Sequence, residues 1–94
     1  RTRELAAAVD AIDGCSLKFS APYFNEIVMC VHQPARHALA KLEQRGILGG
    51  VDLGRYYPEY DNCILMAATE MTTTRDIQIL TKALHEVVHV HARV

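Results

Sequence analysis

The residues with the plainest chemical capacity in this chain are His85, Glu86 and His89, which fit the pattern HExxH letter for letter. On a helix, two histidines one turn apart can hold a divalent metal while the glutamate activates a water for hydrolysis. The surrounding helix argues against that use. Gln78, Lys82, His85 and His89 recur at i, i+4, i+7 and i+11, which makes one continuous polar stripe. Lys82 places an ammonium beside the histidines and opposes a bound cation, and His91, near a fraying end, is a poor third ligand. The expectation is a solvated helix face with no metal.

The nucleophiles fare similarly. Cys15, Cys30 and Cys63 are odd in number, far apart and without a CxxC, so they read as reduced, buried thiols of a cytoplasmic protein. Cys30 and Cys63 sit in apolar stretches, where a thiol behaves as a small hydrophobe and resists ionisation. His32 falls on the same side of a strand as Cys30, a spacing compatible with a Cys–His dyad. Among the lysines, Lys41 and Lys82 belong to outer helix faces, and neither they nor Lys18 has the desolvated setting of a Schiff-base former. By this count the chain has no catalytic residue, no cofactor-binding residue and no metal site of its own.

What remains is the stretch from Gly46 to Glu70, with four of the chain's five glycines and three of its four tyrosines. Asp52, Arg55, Tyr56, Tyr57, Glu59 and Tyr60 crowd around Gly49, Gly50, Gly54 and Pro58. Arginine with tyrosine is the composition of interface hot spots. Gly49, Gly50, Asp52, Arg55, Tyr57 and Glu70 are therefore the candidate interface residues. The competing reading is a solvated loop whose tyrosines pack down on a sheet.

The elements that must hold this loop follow from periodicity. Leu5, Ala8, Val9 and Ile12 make one helical face, which Gly14 ends. Cys15 to Pro22 reads as a connector, with a short apolar alternation at Leu17 and Phe19. Phe24 to Val31 is a strand buried on nearly both faces. Pro34 opens a helix with Ala35, Ala38, Leu39 and Leu42 inward, which Gly46 closes. Ile47 and Leu48 look like a short strand, and Cys63 to Thr69 like a long one. Thr73 stands three residues before Asp76, close to a capping box, and the last helix runs from about Thr74 to about His91. This order describes an α+β fold, a two-layer sandwich in which two helices cover one face of a small, mostly antiparallel sheet.

Composition bounds the rest. The 94 residues make a single domain, half hydrophobic and 22% charged, with a formal net charge of −1. Lysine and arginine form no basic stripe, so no nucleic-acid partner is expected. No apolar run is long enough to cross a bilayer, so no membrane association is expected either. The chain begins at Arg1 without an initiator methionine, and the expectation is a carboxy-terminal piece of a longer subunit, with residues 1–14 leading in from a large domain.

Two long segments carry a resemblance: FSAPYFNEIVMCV at 19–31 and GILGGVDLGRYYPEYDNCILMAATEMTTTRDIQIL at 46–80. They resemble the carboxy-terminal end of the first (α) subunit of the two-chain glycine dehydrogenases (decarboxylating), the P-proteins of the glycine cleavage system. The resemblance implies a fold-type-I pyridoxal-phosphate architecture, of which this chain would be the small carboxy-terminal domain. It implies a family reaction that decarboxylates glycine on pyridoxal phosphate and hands the aminomethyl group to the lipoyl arm of the H-protein. It also implies that the cofactor lysine is on the β subunit and that the α subunit is catalytically silent. Active relatives of this fold often carry a substrate-carboxylate arginine on the strand before the last helix. Here Leu65 stands near that place, and it offers no bidentate fork. The implied partners are the chain's own large domain, the β subunit and the lipoylated H-protein. The alternative is a free-standing, ferredoxin-like binding or regulatory module that dimerises through its sheet.

Overall fold

The structure is a computed structural model that describes residues 2–21, 25–68 and 72–92, with side chains placed at 2–18, 25–68 and 72–88. Helix α1 (Thr2–Asp10) buries Leu5, Ala6 and Val9. The chain then passes Gly14 at φ 95° into strand β1 (Cys15–Ala21). The expected connector is thus a strand, antiparallel to β2 (Glu26–Val31) from Cys15 opposite Val31 to Ala21 opposite Glu26. Its weak apolar signal has a physical reason. β1 is an edge strand, and its register shifts between Leu17 and Phe19, around Lys18. A lysine and an irregularity are how edges avoid pairing with other chains.

Helix α2 (Ala35–Gln44) buries Ala35, Ala38 and Leu42. It ends in a Schellman motif: Gly46 N–H donates to the Glu43 carbonyl (2.9 Å) and Ile47 N–H to the Leu42 carbonyl (3.0 Å). Gly46 takes φ 79° at the position where that motif demands a left-handed residue. The strand expected at Ile47–Leu48 is therefore not there, because Ile47 completes the helix cap and Leu48 projects into solvent at 89% exposure. The short strand β3 lies further on, at Val51–Asp52. Strand β4 (Cys63–Ala67) and helix α3 (Thr74–Ala92) follow the expected pattern. At the start of α3, Asp76 N–H donates to Thr73 Oγ1 (3.0 Å) and Thr73 N–H donates to Asp76 Oδ2 (2.9 Å), a capping box with aspartate in the acidic place.

The four strands run in the order β1-β2-β4-β3, each pair antiparallel. Ile27, Met29 and Val31 of β2 and Ile64 and Met66 of β4 point to one side. There they form a single buried cluster with residues of all three helices. The architecture is the expected α+β two-layer sandwich, except that three helices, not two, cover the sheet. Leu42, Ile64 and Leu84 are fully buried in it, and each such side chain contributes roughly 1.5–3 kcal/mol relative to exposure.

Candidate functional site

The 46–62 segment is shaped from within. Gly49 is buried against α2, and a Cβ there would stand 2.7 Å from Leu42 Cδ1 and 3.0 Å from Leu39 Cδ2. Gly50 takes φ 148°, and a Cβ on it would collide with the Leu65 carbonyl oxygen. Val51 and Asp52 then pair with Leu65 and Ile64. Asp52 Oδ1 accepts the Gly54 N–H at 2.9 Å and caps a 3-10 turn at Leu53–Arg55. A second 3-10 turn, Pro58–Tyr60, begins with proline at a position that lacks a helical partner anyway.

The tyrosines divide between two jobs. Tyr60 is half-buried, stacks edge-on with Tyr57 (centroids 6.0 Å apart, planes at 66°) and lies under Lys18 Nζ at 5.3 Å from its ring centre. Tyr56 and Tyr57 face solvent at 65% and 53% exposure, and Arg55 is exposed beside them. Of the six candidate interface residues, Gly49, Gly50 and Asp52 thus have visible structural tasks inside the domain, and Arg55 and Tyr57 have outward-facing side chains. Glu70 lies outside the described residues. Sequence reasoning missed Leu48, whose exposure arises only because α2's cap holds it away from the sheet. Leu48 and Ile79, the latter 47% exposed, line an apolar groove with Leu5, Ile47, Ile77 and Leu80.

Gln78, Lys82 and His85 are exposed along α3, and Glu86 forms an ion pair with Arg45 that ties α3 to the end of α2. The side chain of His89 lies outside the described residues. Among the described residues, no group of three or more His, Cys, Asp or Glu side chains could hold a metal ion. Lys18 and Lys82 are exposed and Lys41 is half-buried. His32 is exposed past the end of β2, and the neighbour of Cys30 is instead Cys63, directly across the β2–β4 pair with Sγ–Sγ at 2.8 Å. Burial, then the hydrogen bond to Cys30 and its charge, push the Cys63 thiol up to about 12. Lys18 opposes that shift and Asp61 adds to it. Burial alone raises Cys15 to about 11. The cysteine pairing was recoverable only by aligning the end of one apolar strand against the start of the other in antiparallel register.

Similarity to known proteins was found at the level of sequence and of structure. No family model matches the chain. A probable glycine dehydrogenase (decarboxylating) subunit 1 of Anoxybacillus flavithermus is 45% identical over 71 residues, 76% of this chain and 16% of that protein. The corresponding subunit 1 of Alcanivorax borkumensis is 42% identical over 86 residues, 92% of this chain and 19% of that protein. That of Legionella pneumophila is 39% identical over 83 residues, 88% of this chain and 18% of that protein. The chain thus spans less than a fifth of the length of these relatives. A crystal structure of glycine decarboxylase (P-protein) of the glycine cleavage system, in inhibitor-bound form, superposes with a TM-score of 0.78 at 29% identity, over 92% of this chain and 19% of that one.

Proposed function

The chain belongs, over the segment it spans, to the glycine dehydrogenase (decarboxylating) subunit 1 family, and we propose that this segment is the subunit's small carboxy-terminal domain, a non-catalytic docking element. Its principal partner is the remainder of its own polypeptide, which makes up more than four-fifths of the length of the relatives. Through that packing it helps shape the contact with the β subunit, near the site of glycine decarboxylation and of aminomethyl transfer to the lipoylated H-protein.

The distribution of exposed apolar surface carries this reading. Leu48, Val51, Tyr56, Tyr57 and Ile79 are the exposed large hydrophobic residues among those described. Four of them fall between Gly46 and Tyr60, and the fifth shares a groove with Leu48. Apolar side chains concentrated in one segment, with an arginine and two tyrosines among them, mark a contact surface. Gly49, Gly50 and Asp52 hold the shape of that segment, and Arg55 and Tyr57 make its contacts.

Pyridoxal phosphate, when bound by the family's enzymes, supplies the electron sink for decarboxylation. The lysines here do not fit it, since covalent capture needs a desolvated amine and Lys18 and Lys82 are exposed while Lys41 is only half-buried. By the family resemblance Leu65 stands near the place of an anchoring arginine for a substrate carboxylate, and β4 (CILMA) carries no arginine. Both features support a cofactor lysine on the β subunit. In full-length α and β subunits, Arg55→Ala with Tyr57→Ala is expected to weaken αβ assembly, with loss of glycine decarboxylation in proportion. Unchanged assembly and activity of the double variant would overturn the docking role.

A further inference from the structure

The face of the sheet turned away from the helices carries a pair of thiols that the reading above does not use. Cys30 and Cys63 are register partners on β2 and β4. Next to them, the Val31 N–H donates to the Asn62 carbonyl and the Asn62 side-chain amide donates to the Val31 carbonyl, both at 3.0 Å, so these bonds flank the cysteines and do not join them. Antiparallel ladders alternate, which makes Cys30–Cys63 a non-hydrogen-bonded pair, the type whose Cα atoms approach to about 4.5 Å. Disulfides form at Cα separations of roughly 4.4–6.8 Å. The sulfurs already stand at 2.8 Å. Cys30 is half-buried and Cys63 buried, so one thiol meets solvent and the other waits behind it. Cys15 is on the opposite side of the sheet, packed against the core.

We propose that Cys30 and Cys63 form an oxidisable dithiol, a modification site where a peroxide closes a cross-strand disulfide between β2 and β4. The Cys30 sulfur attacks a peroxide oxygen and becomes a sulfenic acid, and the displaced hydroxide leaves as water with the thiol's proton. The Cys63 sulfur then attacks the sulfenic sulfur, forms the S–S bond and releases the second water. Two thiols and one hydrogen peroxide give one disulfide and two waters. The step uses neither Arg55 nor Tyr57, the contact residues of the proposed docking surface.

The test uses the 94-residue chain, oxidised with hydrogen peroxide under native conditions, alkylated in denaturant and mapped by mass spectrometry. The expected product has lost two alkylation sites, keeps Cys15 alkylated, contains the peptide joining Cys30 to Cys63 and is restored by dithiothreitol. Its urea midpoint should be higher than that of the reduced chain. Oxidation in denaturant provides the contrast. There the closure of the 15-residue loop from Cys15 to Cys30 is favoured about threefold over the 33-residue loop, from chain entropy alone. Cys30→Ser should yield no intramolecular bridge. Three alkylatable thiols after excess peroxide, a native bridge through Cys15, or intermolecular disulfides as the main product would each overturn the proposal.

Discussion

The two faces of the sheet are built from the same strands and do different things. On the helix side, Ile27, Met29, Val31, Ile64 and Met66 are sealed under α1, α2 and α3. On the other side, the alternate residues of the same strands grade from buried to open: Val28 and Cys63 are buried, Cys30 and Leu65 half-buried, and Ala67 exposed. The helix face carries the folding free energy of a small domain. The open face retains apolar character and two thiols with no helix above them among the described residues. A strand that is apolar on both faces therefore does not imply cover on both faces. Its neighbours in the sheet can bury part of one side by themselves.

The largest test of this contrast is truncation of equivalent side chains. Leu84→Ala removes a fully buried side chain, and a loss of about 2–5 kcal/mol in urea denaturation is expected. Leu65→Ala, on the open face, should cost less than half of that. Equal losses would mean that the open face is sealed. Next in size is Gly50→Ala, which places a Cβ against the Leu65 carbonyl oxygen at a positive φ and is expected to cost on the order of 1–3 kcal/mol. A neutral result would show that the turn into β3 can move without disturbing β4.

Smaller effects separate the ends of α3 from its middle. Thr73→Ala deletes one half of the capping box, and about 1 kcal/mol of stability should go with it. The same box sets a pH dependence. The Thr73 backbone and hydroxyl bonds hold the Asp76 carboxyl below its ordinary range, assisted by Arg75. A depressed carboxyl contributes stability above its unfolded value, and that contribution is lost as pH falls through the folded value. Denaturation midpoints measured from neutral to acid pH should fall less steeply in Asp76→Asn than in the parent. The smallest expected effect is at Arg45–Glu86, a surface ion pair between α2 and α3. Glu86→Gln should change stability by no more than about 1 kcal/mol and less at high salt. A much larger loss would give the HExxH glutamate a role that its surface position does not explain.

Much of this architecture was legible in the chain. α1, α2, β2, β4 and α3 declare themselves because each buries a face whose period matches its own geometry. The caps at Gly46 and Thr73 are local chemistry that needs no neighbour. β1 reads as a connector because an edge strand has only one covered side and can carry serine and lysine. Leu48 reads as strand from its β propensity, which cannot show that Ile47 completes a helix cap. The 46–70 stretch stood out by composition, but which of its residues face outward depends on how they pack on α2 and β4.

By itself, then, the sequence determined the class of fold, the place of the HExxH letters on a polar helix stripe, and the segment in which exposed aromatic residues concentrate. Those features depend on side-chain chemistry and spacing within one element. Only the tertiary structure decided that Cys30 faces Cys63, that Glu86 is bound to Arg45, and that Leu48 and Ile79 share a groove. Each of these joins residues more than thirty positions apart in the chain. No local periodicity encodes such pairs, because strand register and helix docking are set by burial of the whole core at once.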